Sequence, residues 1–486
     1  MRQLSKKGGI LKVLLLAPND YRVMTPNLGV ATIYKALNPF NDILIDRGYL
    51  SHQFLPGVMR RSLENNLDFY HFDLIALSVS FELDYLNFLL LLYKSGIPIH
   101  RKSRNEKHPF IIAGGKAVSC NPFPLSEFID LALLGDAEVE LVSFVRYYKE
   151  NFKVEKRAEI RRFFAKKTGY FVPEIHSKHS KIKPLFFNDI QSKPAFSFVT
   201  SPLIEFPDKF LLEVQRGCPY NCSFCLIGST AEVFNFVTAQ SVSLLLEKHV
   251  IPVKKGVGLV GSAVLNHPEI DAIIEYLDMH NIPFSISSLR AEKVSDYFLE
   301  KLVKTGQKTI TLAPETASDG LKTRIRKATS NEVFFSIISR AAALGIKNFK
   351  FYFIVGLPGE GDEDLLAIAG FARDALLATG NKIRLTFSIN FFIPKPGTPF
   401  AKEFLVTSER AKRIKRELLR ELKSFSNLKV DLQSHKMASF QNLFATGGTD
   451  FSTFLGEIED YNILPGQFLE LSRNYFENQY INDRII

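Results

Sequence analysis

The chain contains no tryptophan and only four cysteines among its 486 residues. So few cysteines exclude a disulfide-stapled scaffold, and a chain of this length buries a large core without staples. Long hydrophobic runs are absent too: the apolar stretch 86–93 is far shorter than the ~20 residues of a membrane span. The apolar residues 10–17 lack the small-residue cleavage site of a secretory leader, since Pro18-Asn19-Asp20 follows. Neither low-complexity segments nor a repeat of fixed period occurs. With 46% hydrophobic and 23% charged residues, the composition excludes disordered and collagen-like classes. The expectation is a soluble cytoplasmic protein of about three domains.

What is present starts with charge. Lys and Arg number 61 against 51 Asp and Glu, a net charge of +10. That predicts attraction to an anion such as a nucleotide, RNA or an acidic lipid, without naming one. A basic amphipathic helix at 407–424 leaves nucleic acid open as a partner, but no aromatic stacking pattern accompanies it.

In the first 150 residues, strands at Leu11–Ala17, 42–45, 73–80, 110–113 and 131–134 alternate with helices at Leu28–Leu37, 84–95 and 139–151. Continuous apolar strands separated by helices predict an α/β fold with a doubly wound parallel sheet. Its ligands belong outside the carboxyl ends of the strands. Residues 151–205, with KVEKRAEIRR, KHSKIK and scattered prolines, read as a linker. From Lys209 the alternation is regular. Strands at 210–214, Gly256–Val260, 283–287, 308–313, Asn348–Val355 and 383–393 are separated by helices. Six such units suit a partial (βα)6 TIM-type barrel, since a closed one needs eight. The expected domains are 1–150, a linker at 151–205, the barrel at 206–405 and a small helical C-terminal extension at 406–486.

Three cysteines lie together in Arg216-Gly217-Cys218-Pro219-Tyr220-Asn221-Cys222-Ser223-Phe224-Cys225, spaced C-x3-C-x2-C. The segment follows the first barrel strand, so it belongs to a carboxyl-end loop, where barrel active sites are built. Three thiolates can hold three irons of a 4Fe–4S cubane, which usually takes four. With no fourth cysteine nearby, one iron stays open to a substrate or cofactor. Structural zinc, the competing reading, wants four ligands, and the loop offers no partnering Cys or His. Cys120 reads either as a reactive thiol or as a small core residue. His176 and His179 lie in the basic linker without partners for a metal.

The pattern C-x3-C-x-aromatic-C, with Phe224 before the last cysteine, resembles the signature of the radical SAM superfamily, over about residues 210–400. The resemblance implies that Cys218, Cys222 and Cys225 bind a 4Fe–4S cluster. It implies that the amino and carboxylate groups of S-adenosylmethionine (SAM) chelate the open iron. An electron from a donor such as flavodoxin or ferredoxin would then cleave the sulfonium to methionine and a 5′-deoxyadenosyl radical. SAM contacts would come from Phe224 and from the loops after the barrel strands. After the second strand, Gly261-Ser262 stands where many members have Gly-Gly-Glu, and Ser262 or backbone carbonyls would replace the missing glutamate. After the third stand Ser288 and Arg290, the latter for the SAM carboxylate or for a local salt bridge. Glu315, after the fourth, would take ribose hydroxyls or the amino group. Gly356 and Ile393, after the fifth and sixth, would lie on the adenine side. No catalytic acid or base is singled out.

The front domain resembles the cobalamin-binding domain that precedes many radical SAM barrels. Ser78 and Ser80 in 73–80, Gly114-Gly115 and Gly135-Asp136-Ala137-Glu138 carry that resemblance. The pair Gly114-Gly115 would let backbone approach the nucleotide tail of cobalamin. The cobalt-ligating His of D-x-H-x-x-G is absent, because Asp46-Arg47-Gly48 lacks it and His52 has another context. The resulting reading is a radical SAM enzyme using a 4Fe–4S cluster, SAM and cobalamin to methylate or rearrange an unactivated carbon of an unidentified substrate. The alternatives are a cobalamin-independent radical SAM enzyme acting on RNA or a small molecule, and a non-catalytic Fe–S sensor or interaction protein.

Overall fold

A computed structural model describes residues 11–52, 57–138, 140–177, 179–197, 199, 201–230, 234–253, 255–286 and 289–482. The chain forms two units. The first comprises residues 1–187, 195–207 and 440–486; the second comprises 188–194 and 208–439.

In the first unit, β1 (Leu11–Ala17), β2 (Ile43–Tyr49), β3 (Leu74–Ser78), β4 (Phe110–Gly114), β5 (Leu131–Leu133) and β6 (Tyr170–Phe171) form one sheet. Its order is β2-β1-β3-β4-β5-β6, parallel except for β6. Chain order reverses between β1 and β3, which places the topological switch point at their carboxyl ends. The strands are buried along nearly their whole length and mostly apolar, as in a parallel sheet covered on both faces. The Asn27 side chain caps the first long helix, Leu28–Leu37, by accepting from the Val30 N–H.

The stretch expected to be a linker, 151–205, instead contributes to this unit. Helix Arg157–Phe164 and β6 belong to it. The Arg157 guanidinium donates to both oxygens of the buried Asp130, at 3.2 and 2.6 Å, and to the carbonyls of Asn105, His108 and Pro109. Burial pushes the Asp130 carboxyl up, but Arg157 and Arg104 outweigh it and hold the group below its usual value. A basic sequence that looks solvated is therefore pinned to a buried acid. The C-terminal stretch is also corrected. Helices His435–Thr446, Thr449–Gly456 and Pro465–Asn482 are present, yet their phenylalanines join the core of the first unit, and 428–432 is a barrel strand.

In the second unit, β7 (Lys209–Glu213) is followed by the short pair β8 (Gln215–Arg216) and β9 (Asn235–Phe236). The parallel strands then continue as β10 (Gly256–Val260), β11 (Phe284–Ile286), β12 (Thr309–Glu315), β13 (Asn348–Val355), β14 (Arg384–Phe391) and β15 (Leu428–Leu432). They hydrogen-bond in the orders β11-β10-β7 and β12-β13-β14-β15, and a parallel bridge between Leu289 and Leu312 joins the two groups. The result is a partial barrel of six βα units with β15 added at its edge. Helices Ala239–His249, Ile270–Met279, Asp296–Lys304, Asn331–Ala343, Asp362–Leu377 and Ser408–Leu422 connect consecutive strands. Alternate residues of β13 and β14 are buried, and Phe351, Phe353 and Phe387 meet Phe371 of the covering helix at ring separations of 5.1, 5.6 and 6.2 Å. Among the described residues no helix is long and apolar enough to cross a membrane.

Candidate functional site

The cysteine loop leaves β8 through Gly217, whose φ of +80° suits only glycine without strain. Gln215, 1% exposed, fixes that exit. Its amide nitrogen donates to the Gly217 carbonyl and to Ser262 Oγ, and its oxygen accepts the Ala263 N–H at 2.9 Å. Ser262 itself donates to the Gly217 carbonyl. The hydroxyl expected to face SAM is thus engaged in holding the loop. A Cβ at Gly261 would lie 2.8 Å from Gln215 Oε1, so any larger residue would displace that side chain.

From the opposite side, Ser223 donates its N–H to the Ile325 carbonyl and its hydroxyl to that of Arg324, at 3.0 and 3.1 Å. Its own carbonyl accepts from the Phe400 N–H. Phe224 and Ile354 pack on a small cluster of Leu321, Ile325, Leu357, Phe392 and Phe400. These contacts gather the ends of β7, β10, β12, β13 and β14 around one loop. Cys218, Cys222 and Cys225 carry free thiols, and Cys222 is buried. A cleft of about 490 Å³ is lined by Cys218, Tyr220, Ser229 and Thr398 among others. Among the described residues, no three His, Cys, Asp or Glu side chains converge as a single metal ion would need.

Two cations stand beside Cys222. Arg290 Nη1 lies 3.9 Å from its sulfur, while the guanidinium stacks on the Tyr220 ring at 3.6 Å. Burial pushes the Cys222 thiol up, against the pull of Lys327 and Arg290. Arg290 also pairs with Glu292 at 3.1 Å, the local salt bridge foreseen as its other role, yet its buried Nε has no partner. Lys327 donates to Glu315 at 2.7 Å. Glu315 has a φ of +65°, and the β12–β13 register shifts between Leu312 and Glu315, which turns this carboxylate aside from regular pleating. The expected ribose or amino-group ligand is therefore already salt-bridged. Ser288 lies outside the described residues.

At the end of β13, Gly356 has a φ of +74° and donates its N–H to Glu360 at 2.6 Å. Burial raises the Glu360 carboxyl from 4.5 to about 8. Ile393, half-buried, follows β14 in the loop that returns to Ser223. Gln215, Ser223, Asn266 and Lys327 were not legible as site residues. The only signal of Gln215 is its place at a strand end beside the cysteine loop.

In the first unit, Gly115 of the expected cradle is needed for the chain's own packing. Gly115 has a φ of +99°, and a Cβ there would lie 2.3 Å from the Val79 carbonyl. At Gly135 a Cβ would lie 1.9 Å from the Leu185 carbonyl. Both spaces are taken by the chain's own backbone, whereas a Cβ at Gly114 would lie 3.4 Å from the Leu133 carbonyl, an ordinary contact. Ser78 is buried at the end of β3. Ser80 is exposed and accepts from the Asn27 amide at 3.3 Å, in the crevice at the β1–β3 switch point. Arg47, where a D-x-H motif would have its histidine at the next position, is buried and paired with Glu64 at 2.6 Å. Cys120 ends the short helix Lys116–Cys120 and is half-buried. His176 accepts from the Val172 N–H, and His179 is exposed.

Comparison with known proteins agrees with this geometry. Residues 212–372 match the family described as Radical SAM superfamily, and residues 29–173 match Radical SAM proteins, N-terminal. An uncharacterized protein of Methanocaldococcus jannaschii, MJ0966, is 26% identical over 97% of this chain and 96% of its own length. A UPF0313 protein of Thermotoga maritima is 30% identical over 39% of this chain and 41% of its own. Among solved structures, the radical S-adenosylmethionine methyltransferase TsrM from Kitasatospora setae, with tryptophan substrate and a SAM analogue bound, covers 80% of this chain and 75% of its own. The TM-score is 0.53 at 14% identity, a likeness of fold. The same enzyme with cobalamin and a [4Fe–4S] cluster bound gives a TM-score of 0.52 at 14% identity, over 80% of this chain and 74% of its own.

Proposed function

Because the chain belongs to the radical SAM superfamily, we propose that it is an enzyme that cleaves SAM reductively at a 4Fe–4S cluster held by Cys218, Cys222 and Cys225. The observation that carries this reading is the cysteine loop itself: three free thiols at the carboxyl end of a partial barrel, anchored by Gln215, Ser262 and Ser223. A donor set of three thiols without a fourth ligand fits a cubane with one open iron. When bound, the cluster and SAM supply the electron and the sulfonium leaving group; the protein supplies position and enclosure.

The side chains have separable tasks. Arg290 and Lys327 place positive charge beside Cys222, which favours the thiolate and an anionic ligand. Phe224, Ile354 and Phe392 exclude water from one side of the loop. Gly356 and Ile393 remain the proposed adenine-side contacts.

Cobalamin is the second cofactor of this proposal, with methyl transfer to a carbon as the reaction class. Its support is the fold likeness to TsrM over both units. Since Gly115 and Gly135 are filled, we place it at the crevice marked by Asn27 and Ser80. Free thiols and a low-potential cluster suit a reducing, cytoplasmic setting. A small donor protein such as flavodoxin or ferredoxin would supply the electron.

The test is anaerobic reconstitution with iron and sulfide, reduction with dithionite, and chromatography of 5′-deoxyadenosine after SAM is added. The intact chain should form it, and the triple Cys→Ala chain should not. No 5′-deoxyadenosine from a chain with a full cluster would sink the reading. Stoichiometric hydroxocobalamin retained after desalting supports the cobalamin half; none retained removes that half alone.

A further inference from the structure

Among the described residues of the barrel unit, four buried side-chain polar atoms have no partner: Ser229 Oγ, Asn266 Oδ1, Arg290 Nε and Arg340 Nε. The first three adjoin the cysteine loop. Ser229 lines the cleft with Cys218. Asn266, in the turn after β10, donates its amide N–H to the Tyr220 hydroxyl at 2.9 Å. Arg290 stacks on the face of the same ring. Tyr220 thus carries an unpaired acceptor at its hydroxyl end and an unpaired donor on its face. Buried polar atoms rarely stay unpaired, and a set gathered at one reactive loop marks a ligand.

The ligand that answers both atoms is a zwitterion. SAM ends in an α-amino group that donates and an α-carboxylate that accepts. Ser262 already holds the loop through Gln215 and Gly217, and Glu315 is paired with Lys327, whereas Asn266 Oδ1 and Arg290 Nε have no partner at all. We propose that Asn266 Oδ1 accepts a hydrogen bond from the α-amino group of SAM, while Arg290 Nε donates to its α-carboxylate. The inference rests on the reading of the chain as SAM-binding. Its consequence is that the residue orienting SAM is itself held by the cysteine loop, through the Tyr220 hydroxyl.

The experiment compares two ligands on the reconstituted, unreduced full chain by isothermal titration: SAM, and 5′-methylthioadenosine, which lacks the amino-acid end. Asn266→Ala should weaken SAM by about tenfold or more, the loss expected for a hydrogen bond to a charged group. It should leave 5′-methylthioadenosine binding and iron content unchanged. Asn266→Asp should keep most of the SAM affinity, since its carboxylate still accepts and Tyr220 can donate to it. Unchanged SAM affinity in Asn266→Ala overturns the inference. So does equal weakening of both ligands, or loss of iron, either of which assigns Asn266 to holding Tyr220. If the unaltered chain binds no SAM, the functional reading fails instead.

Discussion

Glu360 shows how one carboxyl couples loop shape to pH. It accepts the Gly356 N–H, and burial raises it from 4.5 to about 8. The folded chain therefore holds this proton more tightly than the unfolded chain across that window. Its contribution to stability is full below about 4.5 and is lost as pH rises through about 8. Glu360→Gln keeps an acceptor for Gly356 but cannot ionise. Urea midpoints of this variant should fall less steeply from pH 5 to pH 9 than those of the parent, and parallel profiles would refute the argument. Gln215 is the second test at this scale. Gln215→Ala removes three hydrogen bonds and leaves the Ala263 N–H without its partner. A cost of about 1–3 kcal/mol is expected for a buried group left unpaired, with lower iron content after reconstitution as the readout.

At the scale of elements, the question is what a glycine is for. A Cβ at Gly115 would meet the Val79 backbone, and its φ of +99° is strained for any other residue. Gly115→Ala should destabilise the first unit by about 1–3 kcal/mol or more. Were the glycine there to admit a cofactor tail, the variant would melt normally and lose only cobalamin; thermal melts beside a cobalamin-retention assay separate the two. The alternation of apolar strands and amphipathic helices made β1–β5 and the first six parallel barrel strands legible, because their periodicity is local. Four strands were not legible, among them the two-residue pair β8 and β9. β6 has two residues, and in β15 only alternate positions are half-buried, with exposed Lys429 and Asp431 between them. The site divides the same way. The cysteine spacing is contained in eight residues, Cys218 to Cys225, whereas Gln215 and Ser262 are 47 apart and Tyr220 and Asn266 are 46 apart. Hydrogen bonds across such separations leave no trace in a local pattern.

At the scale of the molecule, the first unit is built from chain segments on both sides of the barrel. Phe444, Phe451, Phe454 and Phe468 are buried in its core and meet one another at ring separations such as 5.1 Å for Phe444–Phe451 and 5.4 Å for Phe454–Phe468. Polar contacts follow the same path. The Asn121 amide donates to the carbonyls of Ala445 and Gly447, and the Glu127 N–H donates to the buried Ser452 hydroxyl. Loss of a single buried Phe side chain costs about 3–5 kcal/mol, against a total stability of about 5–15 kcal/mol for a domain. Removing several together exceeds that margin. A chain ending at Ser439 should therefore leave its first unit protease-sensitive, while the second unit, whose strands and cysteine loop all precede that point, should still take up iron. Limited proteolysis with mass spectrometry, beside cluster absorbance, measures both. A truncated chain whose first unit resists protease would refute this and make the C-terminal helices dispensable to that unit. Loss of iron uptake as well would mean that the barrel depends on the first unit's integrity.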